Sequence, residues 1–253
     1  MTNATIHIAH VSKSFHVGVQ DVPVLRDISF EVYPNDFCVI FGPSGCGKST
    51  LLHTILGLEA PSAGTCTFLS QNLYEGMDED ERSDFRKNHV GMVYQQPNWI
   101  KSLTVLENVA FPLILMGKPK GESLEKANAM LEVMGMRDWS GYAPTELSSG
   151  QQQKVALVRA LVTNPEVIIA DEPTGNLDFE SGQELMQLLV TLNKEQAKTV
   201  LMVTHDLEYL KFAKTVVKMF DGAIAGEYAE KDKETLLKEI KGKRGNGNII
   251  CQR

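Results

Sequence analysis

The chain has 253 residues, 43% of them hydrophobic, and a formal net charge of −7 from 25 Lys and Arg against 32 Asp and Glu. That is enough for one large α/β domain or two small ones, which bury roughly 70% of the extended surface with no need of a disulfide or metal. The acidic balance excludes a nucleic-acid surface over the whole chain, though not a local one, and the cysteines at 38, 46, 66 and 251 have no paired metal-ligand spacing.

Period-two stretches at Ile6 and Ile8, and at Ile28, Phe30 and Val32, read as strands joined by a polar, Gly-containing loop at 16–23. Phe37 to Phe41 is a short apolar strand, with Cys38 buried in it. It runs directly into Gly42-Pro43-Ser44-Gly45-Cys46-Gly47-Lys48-Ser49-Thr50, and Ser49 to Leu58 reads as a helix. Residues 61–72 suggest turns and a strand, and 78–88 form a charged segment. Val90 to Tyr94 is a strand ending at Gln95. Between 98 and 160 the pattern changes. Leu103 to Met116 and Leu124 to Met134 have helical spacing, which reads as a helical insertion in an α/β core, and a further helix runs from Gly150 to about Thr163. Then come the apolar strand 167–170, a helix near 180–195, the strand 199–203 and a helix starting near Asp206. Strands alternating with helices imply a mainly parallel sheet with helices on both faces. Residues 231–253 carry seven Lys or Arg against three acids, which reads as a solvated tail or as a contact surface for an anion. With no apolar stretch at the start and no run near about 18 residues, the chain is expected in the cytosol and unable to cross a membrane itself.

Gly42-x-x-x-x-Gly47-Lys48-Ser49, between a strand and a helix, fits the Walker A pattern. Its glycines let backbone N–H groups curl around phosphate oxygens where a Cβ would intrude. The helix start adds free N–H groups and a positive dipole end. Lys48 brings a charge to the β and γ phosphates of ATP, and the Ser49 hydroxyl can complete a Mg²⁺ shell. All nine residues from Gly42 to Thr50 are candidate nucleotide contacts. The same N–H groups and Lys48 should favour the thiolate of Cys46, so some exposure and reactivity are expected there.

Four apolar residues ending in Asp171-Glu172 put two carboxylates at the tip of a buried strand. Asp171 suits an outer-shell or direct hold on Mg²⁺. Glu172 suits a general base or a water-orienting group, because phosphoryl transfer to water needs the nucleophile in line. Gln95, at another strand end, can touch Mg²⁺ or the attacking water while its backbone joins a movable segment. His205, in Val203-Thr204-His205-Asp206, can reach the γ-phosphate as a donor.

At Leu147-Ser148-Ser149-Gly150-Gln151 the sequence resembles the signature of ATP-binding-cassette ATPases, and the resemblance covers roughly residues 5–228. It implies a P-loop, RecA-like, mainly parallel sheet core with an N-terminal antiparallel β subdomain. A domain over 1–230 would hold the helical insertion at about 98–160, with 231–253 as a tail. It implies hydrolysis of ATP with Mg²⁺ in a homodimer, where Ser148, Gly150 and Gln151 face the partner's nucleotide. Asp178 looks like the aspartate of the family's D-loop, Gln95 like its Q-loop glutamine and His205 like its switch histidine. Phe15 matches the aromatic that stacks on adenine, with a plain core Phe at a strand edge as the other reading. Ser149 stands where the pattern has Gly, at a cost only if that backbone needs φ > 0, and Lys154 replaces the commoner Arg.

Thr104 to Val109, Phe111-Pro112-Leu113 and Gly175-Asn176-Leu177-Asp178 resemble ATPases serving lipoprotein-release, macrolide-export and antimicrobial-peptide-resistance transporters. The implied function is to power a separate transmembrane permease from the cytoplasmic face of the cell membrane, with no nucleic-acid partner. The alternatives are an ATPase that regulates cell-wall or division machinery, or one serving an amino-acid or metal importer. The apolar stretch 109–116 either packs as core or lines a groove that seats a permease helix. A small-molecule kinase would share the phosphate loop but leaves Leu147 to Gln151 and His205 without a role.

Overall fold

The structure, a computed structural model, describes residues 3–232 together with 235 and 236. A four-stranded antiparallel sheet comes first in the chain. It is built from β1 (Ile6–Val17), β2 (Gln20–Val32), β4 (Ala63–Phe68) and β5 (Gln71–Asn72), in the order β2-β1-β4-β5. β1 and β2 pair from Ile6↔Val32 through to Val17↔Gln20. The loop expected at 16–23 is therefore a hairpin tip turning at Gly18, whose φ is 63°. Pairing with a neighbour holds polar residues such as His16 and Asp21 in strands that their own pattern does not announce.

The second sheet has six strands in the order β10-β9-β3-β8-β7-β6. β3 (Phe37–Phe41), β6 (Val90–Tyr94), β7 (Val167–Asp171), β8 (Thr199–Thr204) and β9 (Thr215–Phe220) run parallel, and β10 (Ala223–Ala229) closes the edge antiparallel. The last two strands have no counterpart in the sequence reading. The segment after Asp206 is a short 3-10 turn over Leu207–Phe212, not an α-helix.

Each central strand is buried on both faces, and alternate residues divide between two cores. Cys38, Ile40, Val167, Ile169, Leu201 and Val203 join α1 (Lys48–Ile55) and the inner face of the antiparallel sheet. Phe37, Val39, Ile168, Ala170, Val200 and Met202 join α5 (Ser149–Leu161) and α6 (Phe179–Glu195). One face of the parallel sheet is thus covered by a second sheet as well as a helix. Each Val, Leu, Ile, Phe or Met side chain fully withdrawn in this way contributes about 1.5–3 kcal/mol from apolar burial. α2 (Glu79–His89) is the charged segment, opened by an Asp78–Glu81 capping box. α3 (Val105–Leu115) and α4 (Lys120–Val133) build a third core with α5 around Val109, Leu131, Val155 and Val158. α5 therefore carries residues of two cores. Of the basic tail, residues 233, 234 and 237–253 lie outside the described residues, as does Cys251, while Leu236 is buried in the second core.

Candidate active site

The sheet's register assembles the site. Phe41 pairs with Thr204, Asp171 with Val203, and Tyr94 with Asp171. Parallel strands of matched register end at one level. The residues that follow those ends, Gly42, Glu172, Gln95 and His205, therefore emerge along one edge of the sheet. This is the carboxyl edge, where open α/β sheets gather ligands.

The phosphate loop is wound by glycine. Gly47 has φ 99° as the N-cap of α1, and a Cβ there would come within 2.9 Å of the Val24 carbonyl. Only Gly satisfies both demands. Pro43, Ser44, Gly45 and Ser49 are exposed, Thr50 is half-buried, and Gly42 and Cys46 lie beneath them. Lys48 is 6% exposed and donates from Nζ to the carbonyls of Gly42 and Pro43, both at 2.9 Å. A buried ammonium that close to a mouth of open N–H groups suits the oxygens of a polyphosphate. Cys46 departs from expectation. It is only 5% exposed, and burial pushes its thiol upward despite the opposing pull of Lys48 and nearby N–H groups. Desolvation outweighs the local positive field, so a reactive thiolate is not what this loop holds.

Glu172 sits at the centre. Its φ is 45°, a rare conformation for a non-Gly residue, and its N–H donates to the Val203 carbonyl at 2.9 Å. Its carboxylate lies 2.8 Å from His205 Nδ1 and 4.0 Å from Lys48 Nζ. His205 is 57% exposed, so with Nδ1 on the carboxylate its Nε2 remains for another partner. Asp171 lies half-buried at the strand end. Burial first, then the neighbouring Glu172, raises its carboxyl above the usual range, against the pull of His53 and Lys48. Gln95 is half-buried, and its carbonyl accepts from Asn176 Nδ2 at 3.3 Å.

The Ser148–Gln151 turn forms the start of α5 through a capping box. Gln151 N–H donates to Ser148 Oγ, and Ser148 N–H donates to Gln151 Oε1 at 2.9 Å. Ser149 is the first helical residue and is not among the residues with positive φ. Its side chain costs the backbone nothing. Gly150 is needed for a different reason: a Cβ there would come within 2.6 Å of Ser181 Oγ. Ser181 in turn bonds both oxygens of Asp178, the N-cap of α6, and these bonds hold the Asp178 carboxyl below its usual range. The Ser148–Gln151 turn and the segment at Asp178 are thus packed together within one chain. Lys154 pairs with Glu184 at 2.6 Å between α5 and α6. Phe15 is half-buried towards the hairpin end of β1, with Lys13 Nζ 4.9 Å from its ring centroid.

Gln153 escaped the sequence reading. It is 2% exposed, and its amide donates to the Tyr94 carbonyl at 2.7 Å and the Pro173 carbonyl at 2.8 Å. One side chain therefore ties α5 to the backbone beside Gln95 and beside Glu172. A polar residue at an inward helical position was the available signal.

A family model described as ABC transporter matches residues 25–175. An uncharacterized ABC transporter ATP-binding protein of Methanocaldococcus jannaschii is 41% identical over 219 residues, covering 87% of this chain and 97% of that one. The lipoprotein-releasing system ATP-binding protein LolD of Hydrogenovibrio crunogenus is 39% identical over 208 residues, covering 82% and 90%. Among solved structures, the ATP-binding cassette MJ0796 in a dimeric post-hydrolysis state bound to ADP and Pi superposes with a TM-score of 0.82 at 35% identity, covering 89% of this chain and 98% of that one. Strand-end chemistry, phosphate loop and overall likeness converge on one assignment: the chain belongs to the ABC transporter family, as an ATP-binding and ATP-hydrolysing cassette.

Proposed function

We propose that this ATPase is the motor subunit of an exporter whose permease is a separate protein, and that two copies close head to tail over two ATP molecules. In that arrangement each nucleotide lies between the phosphate loop of one copy and the Ser148–Gln151 turn of the other. The observation that carries it is the placement of Lys48, Glu172 and His205 within 4.0 Å links of one another on the sheet edge, beside an open phosphate loop. Ser148 and Ser149 stand exposed at the end of α5, where free N–H groups and the helix dipole favour a second copy's phosphate. Asp178, beside Gly150 through Ser181, would lie on the same seam.

Within each site Lys48 draws the β and γ phosphates, Glu172 orients or deprotonates the attacking water, and His205 donates to the γ-phosphate. Gln95 reports its presence to the segment beyond β6. Phe15 takes the adenine. A Mg²⁺ ion would rest on the hard oxygen donors of Ser49, Gln95 and Asp171 together with the nucleotide. Bound there, it would neutralise charge on the phosphoryl oxygens.

The permease would dock in the groove of about 460 Å³ between the helical insertion and the core, lined in part by Leu58, Met92, Phe111, Pro112 and Leu115. Val109, Ala110 and Leu113 of the same helix are core, while Leu115 is 55% exposed. No helix among the described residues is long and apolar enough to cross a membrane. Likeness to a lipoprotein-releasing ATPase supports outward movement of lipoprotein, lipid, peptide or drug as the cargo class. The permease reading is tested with Leu115→Asn. Its ATPase activity should match wild type alone and lose stimulation when the permease is co-reconstituted in lipid vesicles. Loss of both activities with a lowered Tm would make the groove ordinary core.

The dimer is tested with Ser148→Arg. With a non-hydrolysable ATP analogue, wild type should sediment at about twice the monomer mass, since the nucleotide completes the interface. The variant should bind a fluorescent ATP analogue as wild type does, remain monomeric and lose hydrolysis. Dimerisation of the variant at wild-type affinity would remove the turn from the interface.

A further inference from the structure

Trp99 lies four residues beyond Gln95, just after Asn98 with its φ of 49°. Its indole N–H donates to Gln152 Oε1 at 2.9 Å, and Gln152 Nε2 donates to the Leu147 carbonyl at 3.0 Å. The orientation of that amide is forced. An indole N–H can only donate and a backbone carbonyl can only accept, so the Gln152 oxygen must face Trp99 and its nitrogen must face Leu147. Leu147 is the residue before Ser148, and at 5% exposure it is itself core. Arg159 also holds the ring. Its guanidinium lies 4.6 Å from the Trp99 centroid and also donates to the Pro97 carbonyl. Gln152 and Arg159 are seven residues apart, which places them on one face of α5.

We propose that Trp99 and Gln152 are positioning residues for the ATPase reaction, linking the segment after β6 to the Ser148–Gln151 turn so that the two move as one unit. The proposal rests on the dimer reading above, in which that turn meets a partner's nucleotide. The segment 95–99 is joined to the nucleotide side through Gln95. Two hydrogen bonds in series then carry its position to the carbonyl that precedes the turn. A hydrogen-bonded chain polarises along its length, so breaking either bond weakens the other. None of the residues in this link, Trp99, Gln152 and Leu147, belongs to the phosphate loop. The link should therefore act on closure and turnover and leave the first binding step alone.

The test is a double-mutant cycle with Trp99→Phe and Gln152→Leu in the full-length chain. Trp99→Phe keeps an aromatic ring for Arg159 and the core but cannot donate. Each single variant should lower turnover at saturating ATP, and the affinity of the analogue-induced dimer, by roughly fivefold, the factor that corresponds to one net hydrogen bond. Affinity of the monomer for a fluorescent ATP analogue should stay at the wild-type value, and the Tm should fall by no more than about 2–4 °C, the shift that one net hydrogen bond makes in a domain of this size. The double variant should be no worse than about the worse single one, because both break the same chain. Wild-type turnover in Trp99→Phe, or losses that multiply in the double variant, would overturn the link. A wild-type protein that stays monomeric with the analogue would instead overturn the dimer reading on which the link depends.

Discussion

Glu172→Gln is expected to hold ATP and stop turning it over. The amide has the shape of the carboxylate, so the backbone bond to Val203 and the contact with His205 can persist. What disappears is a charge and a proton acceptor. A positioned general base contributes about 10²–10⁴-fold to such a reaction, so turnover should fall by at least about 10²-fold. Binding should not fall with it. Glu172 Oε1 lies 4.0 Å from Lys48 Nζ, and removing that negative charge leaves the ammonium to the phosphates alone. Affinity for ATP should be equal or modestly higher, and the ATP-bound dimer should accumulate on size exclusion. Single-turnover hydrolysis of labelled ATP, read beside calorimetric binding, separates the two effects. Near wild-type hydrolysis would take the role of base away from Glu172.

Lys48→Ala should do the reverse, losing the nucleotide first. The ammonium is 6% exposed, and its near partners are two loop carbonyls, with Glu172 farther off. Carbonyls satisfy its protons without cancelling its charge, so the site holds a cation that still seeks an anion. Loss of a desolvated charge contact costs about 3–5 kcal/mol, which corresponds to roughly 10² to 5 × 10³-fold weaker binding of ATP. The fold should suffer little, since the truncation also removes a buried charge. Calorimetry with ATP and thermal unfolding should therefore diverge, affinity falling steeply while Tm moves by only a few degrees. Lys48→Arg should not restore binding, because a planar fork cannot enter a pocket shaped for a compact ammonium. A large fall in Tm with affinity retained would make Lys48 a brace of the loop and not a phosphate ligand.

The two variants test the middle and one end of one short chain of side chains, His205–Glu172–Lys48. No single motif contains that chain. It exists because β3, β8 and β7 lie side by side, and their ends are brought level by pairing between distant residues, Phe41 with Thr204 and Asp171 with Val203.

What could be read without coordinates was what is local. The phosphate loop is contiguous, and its glycines, lysine and following helix owe their form to near neighbours. The strands read at 37–41, 90–94, 167–170 and 199–203 announce themselves by apolar runs that need no partner to be recognised. The order of motifs was enough to indicate the family. The remainder depended on contacts across the chain. The hairpin extends through polar residues because each strand is held by the other, and β9 and β10 form at the sheet's edge because β3 offers a place to pair. Cys46 looked reactive among N–H groups, yet burial decides its chemistry, and burial is a property of the folded surroundings. Ser149 was a doubtful substitution until its place as the first residue of α5 removed any need for positive φ. Gln153, Trp99 and Gln152 carry no motif of their own. They matter through hydrogen bonds to residues 20 to 59 positions away, such as Pro173, Trp99 and Tyr94. Local sequence determined which chemistry this protein could hold, because loops and helix ends form from neighbours. The tertiary structure alone decided which of those groups meet, because strand register and side-chain bonds to distant backbone are set only when the chain has closed on itself.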